Sequence, residues 1–323
     1  MIKFQAPSNI ALLKYWGKSN PELNLPTTSS ISMTLDALST ITSVEHSEQG
    51  DVFYLNKQLQ DERETQKVSR FIDLFRIASG RNDFVVVRSE NNFPTAAGLA
   101  SSASGYGALA GALNRFFDLD LDFDTLSTFA RKGSGSASRS LHGGFVLWDK
   151  GWDDLSSKAT QIDTGNWDIQ MIIILCNQRK KAISSRTLME ITKKQSLFYS
   201  AWVEETNRLI PNMKEAILTH DFSTVGTLAQ RNAWQMHATL LGNQNPFTYL
   251  DARSFEALEI LQQLKSEQIE IYETMDAGPN IKVLVQQRNI PPVLKALKTR
   301  FSPTELIVSG VGQKARELPN DSY

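Results

Sequence analysis

Ser89–Phe117, SENNFPTAAGLASSASGYGALAGALNRFF, runs from Pro94 through Gly98 into a helix with few large side chains until its end. A helix built to fill a core carries Leu, Ile or Phe along one face. Two readings fit a helix this thin. In one, phosphate oxygens approach its first turn, where N–H groups lack intrahelical partners and carry partial positive charge. Ser101 and Ser102 would add hydroxyl donors there. In the other, a neighbouring element packs closely along it. No Gly-Lys-Ser/Thr follows, so the segment is not a Walker loop.

Outward from this helix, the first half alternates short strands with occasional helices. IKFQA (2–6), SISMTLD (30–36), TITSVEH (40–46), DVFYL (51–55) and DFVVVRS (83–89) have strand length and β-branched or aromatic content. QKVSRFIDLFRIASG (66–80) spaces its apolar residues as a helix and ends on Gly80. DFDTLSTFARKG (122–133) predicts a short helix opening on Asp122, followed by a strand in GGFVLWD (143–149). The second half opens on WDIQMIIILCNQ (167–178), a strand buried on both faces, and then turns helical. Helices are expected over 195–210, stopping at Pro211, over 222–242, closing on Gly242, and from Ser254. IEIYETMD and IKVLVQQ read as strands around the turn AGPN, PPVLKALKTRF as a short helix, and ELIVSG as a late strand. Strands and helices mixed without strict βαβ alternation argue an α+β fold in two lobes, 1–167 and 168–323.

The 323 residues suffice for a sizeable core, and 41% hydrophobic with 21% charged residues is a globular composition. Lys plus Arg total 34 against 35 acidic residues, which gives no global basic field for nucleic acid. An anionic small molecule would have to be met by locally placed cations. The single cysteine, Cys176, excludes an internal disulfide, and its apolar setting suppresses the thiolate. His46, His142, His220 and His237 are scattered, without the spacing of a zinc site. No segment approaches the roughly 18 apolar residues of a membrane span, and the N-terminus has no signal-peptide core; a cytoplasmic protein is expected.

Three further clusters stand out. Lys14 and Lys18 bracket Tyr15, Trp16 and Gly17, as either a solvated helix end or a pocket with cationic ends. RKGSGSASRSLHGG (131–144) sets Arg139 among Ser134, Ser136, Ser138 and Ser140, as either a donor nest for an anion or a polar loop. In TMDAGPN (274–280), Asp276 is either an ordinary turn residue or a lone carboxylate serving as a base.

Together KYWGK, LPTTSSISMTLD, NNFPTAAGLASSASGY, GSGSASRSLHGGFV and MDAGPN resemble the mevalonate diphosphate decarboxylase family, in order from about residue 5 to 283 with a weaker match in the tail. That family lies within the galactokinase–homoserine kinase–mevalonate kinase–phosphomevalonate kinase (GHMP) superfamily. MHATLLG ahead of NPFTYL is a milder match. The resemblance implies a ribosomal-protein-S5-type N-terminal lobe, a ferredoxin-like C-terminal lobe and a cleft between them. It implies ATP-dependent decarboxylation of mevalonate 5-diphosphate to isopentenyl diphosphate through phosphorylation of the 3-hydroxyl, in isoprenoid biosynthesis. ATP and Mg2+ are the implied cofactors, with no dedicated metal cage and Ser101 as the residue nearest the metal; a homodimer is implied too.

By position, the resemblance makes Asp276, Lys18 and Arg139 catalytic. Tyr15, Lys18, Ser134, Ser136, Arg139 and Arg186 become substrate-binding. Gly98, Ala100, Ser101, Ser102, Ser104 and Ser185 become binders of the ATP phosphates. Arg139 is expected to hold Asp276 ionised. His142 and Ser138 depart from the Tyr and Cys common in the family. The alternatives are a same-fold kinase or decarboxylase acting on mevalonate or its monophosphate, and a nucleotide-binding module without turnover.

Overall fold

The computed structural model describes residues 1–93, 101–177, 179 and 182–319. The chain begins with β1 (Ile2–Leu13), the short ribbon β2 (Lys18–Asn20) and β3 (Leu25–Pro26), and the long β4 (Ser30–Ser47). β5 (Val52–Leu55), β6 (Gln58–Leu59), α1 (Glu62–Ser79) and β7 (Phe84–Asn91) follow. Next come α2 (Ser101–Phe116), α3 (Phe123–Gly133), a 3-10 turn over Gly135–Ser140, β8 (Phe145–Trp148) and β9 (Ala159–Asp163). The second half holds β10 (Gln170–Ile174), α4 (Ser185–Gln195), α5 (Tyr199–Leu218), α6 (Phe222–Leu241) and α7 (Ala252–Ser266). It ends with β11 (Ile271–Met275), β12 (Ile281–Val285), α8 (Ile290–Leu297), β13 (Leu306–Ser309) and β14 (Arg316–Leu318).

The expected α+β mixture is present as two main sheets. The larger has eight strands along β14-β1-β4-β7-β5-β6, with β8 joining β4 and β9 joining β8. The smaller is the antiparallel order β11-β12-β10-β13. The tail departs from the expected division at 167/168: past β13 it leaves the second sheet and pairs β14 with β1 in the first.

Local chemistry explains most of the elements. Asp61 and Asp122 accept hydrogen bonds from Glu64 N and Thr125 N, capping α1 and α3, and Gly80 closes α1 at φ 70°. Two expectations fail. Residues 30–36 and 40–46 form one strand, because a bulge between Thr34 and Ser39 keeps β4 paired to β1 across the interruption. α5 runs through Pro211, which is exposed. Proline removes one ladder hydrogen bond, and the buried stripe Leu209, Met213, Ala216 and Ile217 holds the helix across it.

One hydrophobic core joins the two sheets. It packs Ile10, Leu12, Ile31 and Met33 of the first against Met171, Ile173 and Leu284 of the second, with α5 and α6 between. A second core lies under α1–α3, and a third between the small sheet and α7–α8. Close packing accounts for the lower part of α2. A Cβ on Gly111 would sit 2.3 Å from the Phe4 ring, and one on Gly107 3.0 Å from Ser140 Cβ. Among the described residues no helix is long and apolar enough to cross a membrane.

Candidate active site

Past the end of β1, the main chain turns toward the second half of the molecule. Lys14 N donates to Asn232 Oδ1 of α6 (2.8 Å), and Asn232 Nδ2 in turn donates to Thr206 Oγ1 of α5 (2.9 Å). This buried relay aims Lys14 at the turn after β11. There Lys14 Nζ donates to Asp276 Oδ1 at 2.7 Å and to the Ala11 carbonyl at 2.7 Å. From the other side Lys282 Nζ of β12 lies 3.3 Å from Asp276 Oδ2. His237 Nε2 of α6 meets the Asp276 carbonyl at 3.2 Å; a carbonyl only accepts, so this nitrogen carries the proton.

The electrostatics follow from burial and these partners. Burial alone would raise the Asp276 pKa, but Lys14 and Lys282 outweigh it and hold the carboxyl well below its usual range. Burial lowers Lys14 to about 8, with Asp276 opposing. Burial likewise lowers Arg139 to about 10, so it stays charged at neutral pH. His237 is lowered by burial and by Lys14 to about 4, so it is neutral.

Asp276 faces a cavity of about 870 Å3 whose wall draws on both halves of the chain. Lys14, Tyr15, Lys18, Ser101, Ser102, Ser134, Ser136, Arg139, Ser185 and Arg186 all line it. Arg139 is fixed by Nη1 donating to Ser30 Oγ (2.6 Å) and Nε to Asn9 Oδ1 (3.3 Å), with its guanidinium 5.7 Å above the Trp148 ring. Tyr15 packs edge-on to Trp148, and burial raises its hydroxyl pKa, so it remains a donor. Hydroxyls continue from the start of α2 into the 135–140 turn: Ser102 Oγ to Ser134 Oγ at 3.3 Å, then Ser134 Oγ to Ser136 Oγ at 3.4 Å. Ser184 caps α4, which puts Ser185 and Arg186 in its first turn. Lys18 sits across Gly17 from Lys14, its pKa lowered by burial and by Arg186. Gly17 is at φ +116°, and a Cβ there would strike the Tyr199 hydroxyl at 1.8 Å.

Several expectations need correction. Ser104 is wholly buried, its hydroxyl 2.7 Å from Thr40 Oγ1, so it ties α2 to β4 rather than facing the cavity. Gly98 and Ala100 lie outside the described residues. The ion-pair partners of Asp276 are Lys14 and Lys282, while Arg139 acts on it only at longer range. Sequence reasoning missed Lys282, His237 and the α1 wall of Arg63, Glu64 and Lys67. For Lys14 the sequence offers a solvated helix end or a cationic pocket end, but not its ion pair with Asp276. A signal for Lys282 existed: a lysine inside the apolar strand IKVLV needs a buried anion. His142 hydrogen-bonds the Ala159 carbonyl (3.1 Å) and Ser138 that of Gly135 (2.8 Å), both outside the cavity lining.

The arrangement is a buried carboxylate, Asp276, among fixed cations, facing hydroxyls at a helix start, with room for a polyanionic ligand. Residues 6–159 match the diphosphomevalonate decarboxylase-like N-terminal domain, and residues 171–321 match the mevalonate 5-diphosphate decarboxylase C-terminal domain. The chain is 37% identical over 315 residues to the diphosphomevalonate decarboxylase of Candida albicans, covering 92% of this chain and 87% of the relative. It superposes on MDDEF in complex with MVAPP, AMPPCP and magnesium with a TM-score of 0.93, at 43% identity and 99% coverage of each chain. The mevalonate diphosphate decarboxylase of Enterococcus faecalis, in a structure concerned with mevalonate diphosphate-mediated ATP binding, gives 0.92 at 43% identity and 99% coverage of each chain. With both halves matched and the identity spread over nearly all its length, the chain belongs to the mevalonate 5-diphosphate decarboxylase family.

Proposed function

We propose that this chain decarboxylates mevalonate 5-diphosphate with consumption of ATP, yielding isopentenyl diphosphate, ADP, phosphate and carbon dioxide. The observation that carries the reading is Asp276, ionised between Lys14 and Lys282 and open to a cavity walled by Arg139, Lys18 and Arg186. Hydroxide is a poor leaving group at C3, so the hydroxyl must first receive the γ-phosphoryl group of ATP. Phosphate then leaves with the C3–O bonding pair, positive character develops at C3, and loss of the carboxylate supplies the electrons of the new double bond.

The residues divide this work by place. Asp276 accepts the hydrogen bond of the 3-hydroxyl and aligns its oxygen for in-line attack. Two ammonium groups on its oxygens make it a weak base, so orientation is its larger contribution. Arg139 faces the substrate carboxylate, Lys18 and Arg186 face the diphosphate, and Tyr15, Ser134 and Ser136 donate to its oxygens. Ser101 and Ser102 at the opening of α2 meet the ATP phosphates, with Ser185 beside them. The donors at that end are hydroxyl oxygens, a hard set that suits magnesium. Ser101 would hold the ion together with nucleotide oxygens, and its charge would offset the negative charge of the transferring phosphoryl group.

The test is to supply mevalonate 5-diphosphate, its monophosphate and mevalonate in turn, each with ATP and magnesium, and to follow carbon dioxide beside ADP. The diphosphate should release both in equal amounts. ADP without gas would make the protein a kinase, and gas from the monophosphate alone would move the substrate.

A further inference from the structure

β12 is an inner strand of the second sheet, paired to β11 on one side and β10 on the other, and all five of its residues are buried. Ile281, Val283 and Val285 belong to the core under α7 and α8, while Leu284 belongs to the core shared with the first sheet. Strand alternation puts Lys282 on the same face as Leu284. A lysine at such a position is strongly unfavourable unless its charge is met. Its Nζ lies 3.3 Å from Asp276 Oδ2 and 3.3 Å from the Asn280 carbonyl, and the side chain is wholly withdrawn from solvent.

The two ammonium groups on Asp276 are therefore not equivalent. Lys14 lines the cavity, so an anionic ligand entering it competes with Asp276 for that cation. Lys282 does not line the cavity, and its side chain is wholly withdrawn from solvent behind Asp276. We propose that Lys282 is a positioning residue: gripping Oδ2 from inside the second sheet, it fixes the rotamer and charge of Asp276 while Lys14 is shared with substrate, and it touches no substrate itself. This rests on the reading of Asp276 given above.

Other charged or titratable groups acting on this pair are Arg139 in the 135–140 turn, neutral His237 on α6 and Cys176 after β10. None of these makes an ion pair with Asp276. Lys282→Met keeps an unbranched side chain, one heavy atom shorter, and removes the charge. Asp276 keeps Lys14, so no uncompensated charge is left in the core.

The experiment follows the Asp276 carboxyl by 13C NMR titration, assigned with Asp276→Asn, and measures kcat and KM against pH, in the parent and in Lys282→Met. Lys282→Gln serves if the Met variant fails to fold. The Asp276 midpoint should rise by about 1–3 pH units. The acid limb of kcat should move the same way, and kcat at pH 7 should fall about tenfold or more while KM changes less than about threefold. An unchanged midpoint, or a loss confined to KM, overturns the proposal. If the parent does not turn over mevalonate 5-diphosphate and the midpoint still rises, the functional reading fails and the grip of Lys282 on Asp276 stands.

Discussion

Asp276→Asn keeps the shape of the side chain and removes its charge, so it reports on both stability and turnover. Lys14 Nζ at 2.7 Å and Lys282 Nζ at 3.3 Å lose their counter-ion. At an effective dielectric of about 20, contacts this close carry about 4–6 kcal/mol of gross attraction each. Most of that offsets the burial of the ions, and removing one partner of a buried pair costs about 3–5 kcal/mol net. Tm should fall by about 4–7 °C at pH 7, measured by scanning calorimetry. Lys14 fixes the pH dependence. Asp276 holds its pKa up at about 8 against burial, and in the variant that support is gone. The parent's advantage is thus fully present between the ordinary Asp pKa of about 4 and the range where Lys14 starts to lose its proton; it narrows as pH rises toward 8 and again as pH falls below about 4 and Asp276 takes up a proton. Turnover should drop by about 10²–10⁴-fold without weaker binding of the anionic substrate, because a negative charge has left the cavity. A variant as stable as its parent with normal kcat would refute the reasoning, as would one whose only change is a raised KM.

Three other outcomes are expected. kcat/KM should fall above pH about 8, as Lys14 loses the proton that binds Asp276, and an alkaline limb only above pH about 10 would remove Lys14 from that role. Arg139→Gln leaves the Ser30 and Asn9 oxygens without their charged donor and the substrate carboxylate without its cation; kcat/KM should fall by about 2–5 kcal/mol in transition-state terms, measured by steady-state kinetics. Ser101→Ala should lower kcat more than it raises KM for mevalonate 5-diphosphate, since Ser101 opens α2, the end we propose for the nucleotide; the reverse order in a two-substrate assay would place it at the other ligand.

What the sequence made legible was mostly local. The spacing of Val68, Phe71, Ile72 and Phe75 with a left-handed Gly80 gave α1, and Asp122 gave the start of α3, because periodicity and caps act within a few residues. Pro211 misled because its penalty, one lost hydrogen bond and a ring clash with the preceding turn, is exceeded by burial contributed from outside the helix. The break read at Ala37–Ser39 is a bulge, visible only once β1 is known to be the partner. In the site, KYWGK offered two lysines with nothing local to choose between them. β1 ends at Leu13, so Lys14 turns inward onto Asn232 and Asp276, while Gly17 carries the chain round and puts Lys18 on the other side of the cavity. Lys282 and His237 reach Asp276 only through strand pairing and the packing of α6 on β11, which no short motif encodes.

The cations of the site sort by burial, and the sorting explains how so much positive charge is tolerated before a ligand arrives. Lys14, Arg139 and Lys282 are buried and cannot be neutralised by water, so a resident anion has to balance them; Asp276 is that anion, with Ser30 and Asn9 taking the guanidinium of Arg139. Lys18 and Arg186 remain in contact with solvent at the cavity wall, where hydration keeps their repulsion small. A diphosphate would displace that water and gain most from these two cations, whereas a carboxylate reaching Arg139 meets a group already desolvated and held in place. Binding strength therefore belongs to the outer pair and reactivity to the inner three. A substitution at Lys18 or Arg186 should consequently appear in KM and one at Arg139 or Lys14 in kcat; a uniform pattern across all four would mean that the cavity does not divide its charge in this way.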